Sequence, residues 1–184
     1  MLLRPWRSSD AAALHPILSA NHARLGPWIP ARIADPAPLP QLTARLAAFA
    51  ADFAADREWR YAMCSRSDGE LLGEFSLFPR APGGRVPYAD ADRIEFGYWL
   101  RAEATGQGYV TEAARALLDV VWPIPQFRRV EIHCDERNVP SGAVPERLGF
   151  TLTPDGSNGG AGEVRIQVWT LACDGTRGDM DVRG

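Results

Sequence analysis

The sequence predicts an α+β domain built on one mixed sheet with helices on both faces. Three observations lead there. Short apolar or alternating runs trade places with amphipathic runs in the order β-α-α-β-β-β-α-β-α-β-β, which makes about seven strands. An aromatic strand ending at Leu100 passes through a glycine loop into a helix. The chain has 184 residues, of which 46% are apolar, enough for a single substantial core. The domain is expected to span 1–175, with 176–184 as a flexible tail.

Leu2 to Arg4 suits a short edge strand ahead of Pro5, and Ser8, Ser9 and Asp10 offer caps for a helix reaching about Ala23. Gly26-Pro27 and the proline-rich run to Pro40 break structure, yet Trp28 and Ile29 within that run are costly to leave in water without a use. Leu42, Leu46, Phe49 and Phe53 form the apolar stripe of a second helix. Trp59 to Ser65 and Leu71 to Phe78 read as a hairpin around Ser67-Asp68-Gly69, and residues 80–92 as a loop. In the strand Arg93 to Leu100, alternation sets Glu95, Gly97 and Trp99 on the face opposite Ile94, Phe96, Tyr98 and Leu100. A third helix carries Tyr109, Val110, Ala113, Ala114, Leu117, Leu118 and Val121 on one side and stops before Pro123. In the strand Arg129 to Cys134, Val130, Ile132 and Cys134 alternate with Glu131 and His133. A short helix ends at Gly149, and Phe150 to Thr153 with Val164 to Leu171 make the last hairpin.

Composition narrows the function. A net charge of -3 and a pI near 5.6 supply no global attraction to nucleic acid or anionic membrane. No apolar run approaches the roughly 18 residues of a spanning helix, and the first residues lack a signal peptide's apolar core, so a cytoplasmic protein is expected. Cys64, Cys134 and Cys173 form neither a C-x-x-C pair nor an even framework, which points to reduced thiols and no metal site. All 20 basic residues are arginine. No lysine amine is available as base or Schiff-base former.

Two segments carry the chemistry. In the first, Glu95-Phe-Gly-Tyr-Trp-Leu-Arg-Ala-Glu-Ala-Thr-Gly-Gln-Gly-Tyr-Val-Thr-Glu-Ala-Ala114, Gly106 and Gly108 can adopt backbone angles closed to other residues. Consecutive N–H groups from Gln107 to Val110 can then converge on one anion, assisted by the positive end of the helix that follows. The second segment is Asn138-Val-Pro-Ser-Gly-Ala-Val-Pro-Glu-Arg-Leu-Gly-Phe150, where Asn and Ser precede a short helix closed by Leu-Gly-Phe.

Together the two segments resemble the GNAT superfamily of acyl-coenzyme A N-acyltransferases, and within it the RimJ/RimL type that acetylates ribosomal-protein N-termini. At the amino end, Leu3-Arg-Pro-Trp-Arg-Ser-Ser-Asp10 and His22-Ala-Arg-Leu-Gly-Pro-Trp-Ile-Pro30 are similar to that subgroup's opening. The resemblance spans about residues 2 to 171. It implies a mostly antiparallel sheet in which Arg93–Leu100 and Arg129–Cys134 are a central parallel pair that splays where the donor enters.

It also implies acetyl-coenzyme A as co-substrate and a set of site residues. The pyrophosphate would lie on the backbone of Gly106, Gln107, Gly108, Tyr109, Val110 and Thr111. The family's loop has the form Q/R-x-x-G-x-G/A, and Glu103 at its first position removes one expected cation. The pantetheine arm would pair with Phe96, Gly97, Tyr98, Trp99 and Leu100 as an added strand. Gly97 suits a close backbone approach, while Tyr98 and Trp99 also fit a reading as core aromatics. Asn138 and Ser141 would complete the donor site. Many relatives protonate the leaving thiolate with a tyrosine seven residues after the asparagine, but that position is Pro145, so Ser141 becomes the candidate donor, with helix capping as its alternative. Glu95 is the carboxylate expected to receive the amine's proton, with Glu131 and His133 as alternatives.

Neutralising an α-amine costs well under ~1 kcal/mol at about pH 7.4, against roughly 4 for lysine, so a site with one modest base suits α-amines. The leading expectation is therefore acetyl transfer to a protein N-terminus by direct attack in a ternary complex, and the resemblance, many of whose members pair, implies a homodimer. A small-amine acceptor, or a non-catalytic acyl-coenzyme A binding module, are the alternatives. A nicotinamide dehydrogenase is disfavoured because Gly106-Gln-Gly-Tyr-Val-Thr111 lacks the third small residue of the dinucleotide fingerprint.

Overall fold

Eight strands pair into one open sheet. The structure, a computed structural model, describes residues 1–153 and 165–173, and the expected tail lies outside these described residues. The strands are β1 (Leu2–Pro5), β2 (Trp59–Cys64), β3 (Leu71–Ala81), β4 (Gly84–Arg85), β5 (Arg93–Leu100), β6 (Arg129–Asp135), β7 (Thr151–Leu152) and β8 (Ile166–Ala172). They lie in the order β1-β2-β3-β5-β6-β8-β7, with β4 folded back onto β3. Every pairing is antiparallel except that of β5 with β6. The helices are α1 (Ala11–Leu25), α2 (Ala31–Ala34), α3 (Leu39–Ala54), α4 (Tyr109–Val121) and α5 (Val139–Arg147).

Both β4 and α2 fall in segments whose composition reads as loop. A two-residue strand and a single helical turn are too short to show a period. Pro40 does not end structure as expected; it occupies the first turn of α3, where a missing N–H costs nothing. Residues Ser8–Asp10 form a 3₁₀ turn that precedes α1, and the Asp10 carboxylate accepts the Arg7 N–H at 2.9 Å.

Strand alternation sorts two cores onto the two faces. On one, Ala113, Leu117, Leu118 and Val121 of α4 bury against Ile94, Phe96, Val130 and Ile132. On the other, Leu14 and Leu18 of α1 and Leu42 and Leu46 of α3 cover Ala62 and Trp99. Each of the Leu, Ile, Val and Phe side chains among them contributes about 1.5–3 kcal/mol on leaving water.

The parallel pairing is short. It runs from Arg93 opposite Arg129 to Phe96 opposite Ile132 and then stops. Beyond that point β5 follows β3 to the Leu100–Gly73 pair, whereas β6 follows β8 to the Asp135–Ile166 pair. Gly97 to Leu100 and His133 to Asp135 therefore flank an open wedge. Gly73 secures the β5 side, since a Cβ there would sit 2.1 Å from the Trp99 carbonyl oxygen.

The same register sets Glu95 opposite Glu131 and Arg93 opposite Arg129, and like charges directly opposed on a sheet repel. Guanidinium groups resolve the conflict. Arg93 Nη1 donates to Glu131 Oε1 at 2.9 Å, Arg85 Nη2 donates to Glu95 Oε1 at 2.9 Å, and Arg80 donates to Glu95 while its Nε stands 3.8 Å from Glu131. Burial opposes ionisation of Glu95, but the hydrogen bond and charge of Arg85, followed by the charges of Arg80 and His133, outweigh it and hold this carboxyl below its ordinary value. Burial likewise opposes ionisation of Glu131 and is overcome by hydrogen bonds from His133 and Arg93.

Two outcomes are expected. Gly73→Ala forces the ends of β3 and β5 apart and should cost about 1–3 kcal/mol in denaturant unfolding; an unchanged midpoint would show that the strands yield freely. Both glutamates have depressed folded-state pKa values, so their contribution is present above the unfolded value near 4.3 and is lost as pH falls through the folded values. Thermal unfolding temperature should drop steeply over that acid range, and the drop should be shallower in Glu95→Gln. A flat profile there would mean the bridges contribute nothing.

Candidate active site

The wedge between β5 and β6 opens into a cavity of about 770 Å³. Of the residues expected to hold the donor or do chemistry, every one lines it except Gln107. That side chain instead donates from Nε2 to the Glu103 carbonyl at 2.6 Å, which tightens the glycine loop from behind.

The loop geometry follows from its two glycines. Gly106 and Gly108 have φ of 74° and 81°, and Gly108 stands as the N-terminal cap of α4 without any side-chain bond. The helical ladder starts with Glu112 N–H donating to the Gly108 carbonyl at 2.9 Å, so the N–H groups of Tyr109, Val110 and Thr111 precede it with no helical partner. A Cβ at either glycine would meet nothing within 4 Å. Backbone angle, not crowding within the protein, is what demands glycine here. Arg147 of α5 borders both this loop and a smaller depression beside it that Arg115 also lines, so two cations stand near Gly108 and Thr111.

On the far side of the wedge, α5 begins at Asn138. Its Oδ1 accepts the Ser141 N–H at 3.4 Å and its carbonyl accepts the same N–H at 2.9 Å, so Asn138 is the cap. The capping reading of Ser141 is thereby corrected: as the third residue of the helix it leaves its hydroxyl free of that task. Ser141 Oγ donates to the Tyr98 hydroxyl at 3.4 Å, and Tyr98 donates to the Ser141 carbonyl at 2.9 Å. Tyr98 thus packs its ring on the α4 core and sends its polar tip across the wedge. Burial pushes its phenol well above the ordinary value, against the pull of the Ser141 bond, so the hydroxyl keeps its proton.

The other side of the cavity is walled by Trp28, Ile29 and Ile33 from the α1–α2 region and by Trp99 and Phe78 from the sheet. Trp28 and Ile29 therefore have the use that their cost in water required. Trp99 is 6% exposed, and among the described residues its indole N–H has no partner. The floor is a buried cluster that local sequence does not reveal. Glu74 accepts from Trp6 Nε1 at 2.9 Å, Arg60 Nη1 at 2.8 Å and Ser76 Oγ at 2.9 Å, while the Arg60 guanidinium lies between the rings of Phe49 and Phe78. The partners come from β2, β3, α3 and the segment after β1, so only the alternation of β2 and β3 hints at a shared face.

Glu95 reaches the cavity but is engaged by Arg80 and Arg85, which lowers its affinity for a proton. This geometry makes it a poor base. His133, one of the alternatives, lines the same cavity just past the last parallel pair, and its Nε2 is 2.9 Å from Glu131 Oε2. Glu131 itself is buried behind it. Three polar groupings thus stand at the cavity: a glycine loop with free helix-head N–H groups, a hydroxyl pair at the wedge, and the imidazole of His133 backed by the Glu131 carboxylate.

Known proteins share this fold. Residues 1–151 match the acetyltransferase (GNAT) domain family. The Bacillus subtilis (strain 168) protein named "Putative ribosomal N-acetyltransferase YdaF" is 28% identical over 152 residues, covering 80% of this chain and 76% of that one. Among solved structures, the microcin C7 self-immunity acetyltransferase MccE, in complex with acetyl-CoA and AMP, superimposes with a TM-score of 0.76 at 20% identity over 92% of this chain and 91% of its own. RimL, a ribosomal L7/L12 alpha-N-protein acetyltransferase solved with coenzyme A, gives 0.73 at 21% identity over 92% of each chain. A short parallel pair that splays at Phe96 and Ile132, a glycine loop at the head of α4 and a family match over most of the chain have one reading: the protein belongs to the GNAT acetyltransferase family.

Proposed function

We propose that the protein moves an acetyl group from acetyl-coenzyme A to the N-terminal α-amine of a protein, with ribosomal proteins as the acceptor class. The observation that carries this reading is the continuity of one cavity from the glycine loop, along the free edge of β5, to the aromatic wall of Trp28 and Trp99. Donor and acceptor can occupy it together, so the amine attacks the thioester directly.

Each step has a candidate group. The N–H groups at the head of α4 receive the pyrophosphate, and the Gly97–Leu100 edge pairs with the pantetheine amides. Backbone N–H near Gly97 or Tyr98 stabilises the oxyanion. As the C–S bond breaks, the Ser141 hydroxyl turns from the Tyr98 oxygen and donates to the departing sulfur, while Tyr98, whose own proton goes to the Ser141 carbonyl, positions that residue's backbone. On the acceptor side, the unpartnered Trp99 indole N–H suits a carbonyl one or two residues into a peptide, which a simple amine lacks. The names of YdaF and RimL support the same acceptor. Such an acceptor also implies a cytoplasmic place of work. The AMP bound by MccE favours one rival, a nucleotide-linked or other small amine.

Release of coenzyme A thiol, measured with acetyl-coenzyme A against peptides beginning with serine, alanine and bulkier residues and against a small-amine panel, decides between them. Turnover is expected on peptides with a free N-terminus and not on the same peptides blocked there. Preference for small amines would overturn the acceptor assignment. Ser141→Ala should lower kcat by about 10²-fold with donor affinity retained, because the cap belongs to Asn138 and stability is untouched. Tyr98→Phe should reproduce part of that loss. Full activity in Ser141→Ala would give the thiolate's proton to water.

A further inference from the structure

The geometry points to His133 as the group that takes the acceptor amine's proton, with Glu131 as the residue that positions it. This assignment rests on the acetyl-transfer reading, but not on which amine is the acceptor. His133 follows directly on Ile132, the last β6 residue paired with β5, so its backbone flanks the wedge and its ring lines the cavity. On β5, the corresponding position is Gly97, whose missing side chain leaves room in front of the ring.

The tautomer follows from the partner. Glu131 is surrounded by cations: Arg93 Nη1 at 2.9 Å, Arg129 Nε at 3.4 Å and Arg80 Nε at 3.8 Å. An ionised carboxylate can only accept hydrogen bonds, so the 2.9 Å contact places a proton on His133 Nε2. In the neutral ring Nδ1 then carries the lone pair, and it has no hydrogen-bond partner among the described residues. The result is a base held in one tautomer by a carboxylate that is itself held by arginines, the logic that also orients the histidine of nucleophilic enzymes. Glu95, by contrast, spends its carboxylate on Arg80 and Arg85. The charged groups facing the ring are Glu131 and Arg129 on its own strand, Glu95 and Arg93 on β5, Arg80 on β3 and Arg85 on β4. Arg24 and Arg32 line the acceptor wall, and Arg137 borders the cavity beyond β6. On β8 the residue opposite is the uncharged Val168.

The step balances. The acceptor arrives as an ammonium, Nδ1 accepts one proton, and the freed amine forms the C–N bond to the thioester carbon. When the C–S bond breaks, the nitrogen loses its second proton and the sulfur gains one through the Ser141 hydroxyl. His133 then returns its proton to solvent through the cavity mouth.

The test compares wild type, His133→Gln, Glu131→Gln and Glu95→Gln, each with acetyl-coenzyme A and whichever amine the wild type turns over fastest. For each, kcat/KM is followed across the pH range and donor affinity is measured separately by calorimetry. His133→Gln should lose about 10²-fold in kcat at neutral pH, keep its donor affinity, and lose the acidic limb of the profile. Glu131→Gln should shift that limb, an effect that mere loss of packing would not produce. An acidic limb that persists in His133→Gln, or that disappears in Glu95→Gln instead, overturns the assignment. If the wild type acetylates small amines but no peptide, the acceptor reading fails while the His133 comparison still stands on the small amine. A wild type that turns over no amine overturns both.

Discussion

The early end of the β5–β6 pairing is the constraint on which the rest of the molecule depends. Two parallel strands with apolar faces would ordinarily pair along their whole length, so something must hold them apart after Phe96 and Ile132. Each strand is bound more firmly to its outer neighbour. β5 keeps its register with β3 as far as Gly73, where the backbones approach so closely that no Cβ fits. The chain just past β5 is tied down further: Arg24 donates to the Leu100 carbonyl, and the buried Asn21 accepts the Ala102 N–H at 2.8 Å. β6 meanwhile stays with β8 through Asp135. The wedge is therefore built by what lies outside it, and its unpaired backbone groups are kept available for a ligand that supplies the missing strand.

Charge is arranged around that wedge by a chain that owns no lysine. Parallel register opposes two glutamates and two arginines across β5 and β6, an arrangement that an ammonium point charge would relieve poorly. A guanidinium presents several donors in a fixed plane and can stand between two carboxylates at once, as Arg80 does between Glu95 and Glu131. Arg85 adds a stacking contact, its guanidinium carbon 3.4 Å from the Phe78 ring centroid. The cost is that Glu95 is fixed as an ion-pair partner. The gain is that Glu131, compensated on several sides, can stay charged behind His133 without leaving an unpaired buried charge.

Much of this was legible before any coordinates. The bounds of β5, the amphipathic face of α4 and the glycine loop follow from local pattern, because period and backbone freedom are properties of neighbours in sequence. The donor half of the site was readable for the same reason. The acceptor half was not. Its groups are paired across the sheet: Glu95 with Arg80 and Arg85, and Glu74 with Arg60 and with Trp6, 68 residues away. Sequence placed Glu95 on the right face but could not show that two guanidiniums would reach it, one of them from β4, a two-residue strand without periodicity. The role of Asn138 was also hidden, since Asn138 and Ser141 are both competent caps and only the helix start decides between them.

Alternation along β5 gives the cavity its two chemistries. Phe96 and Tyr98 face α4 and α5, so the side of the strand that anchors the core also carries the hydroxyl reaching Ser141, next to where the sulfur departs. Glu95 and Trp99 face the other way, Trp99 against α1 and α3 and Glu95 against Arg80 and Arg85, the side proposed above for the acceptor. Between them Gly97 presents only backbone, at the one place where both substrates must approach the same carbonyl. A side chain at that position would have to point to the acceptor face, where a Cβ already comes within 3.2 Å of Phe78, and would fill the space before His133. On the roles proposed for His133 and Ser141, proton removal and thiolate release lie on opposite faces of one strand, which keeps the base from neutralising the group that protonates the sulfur.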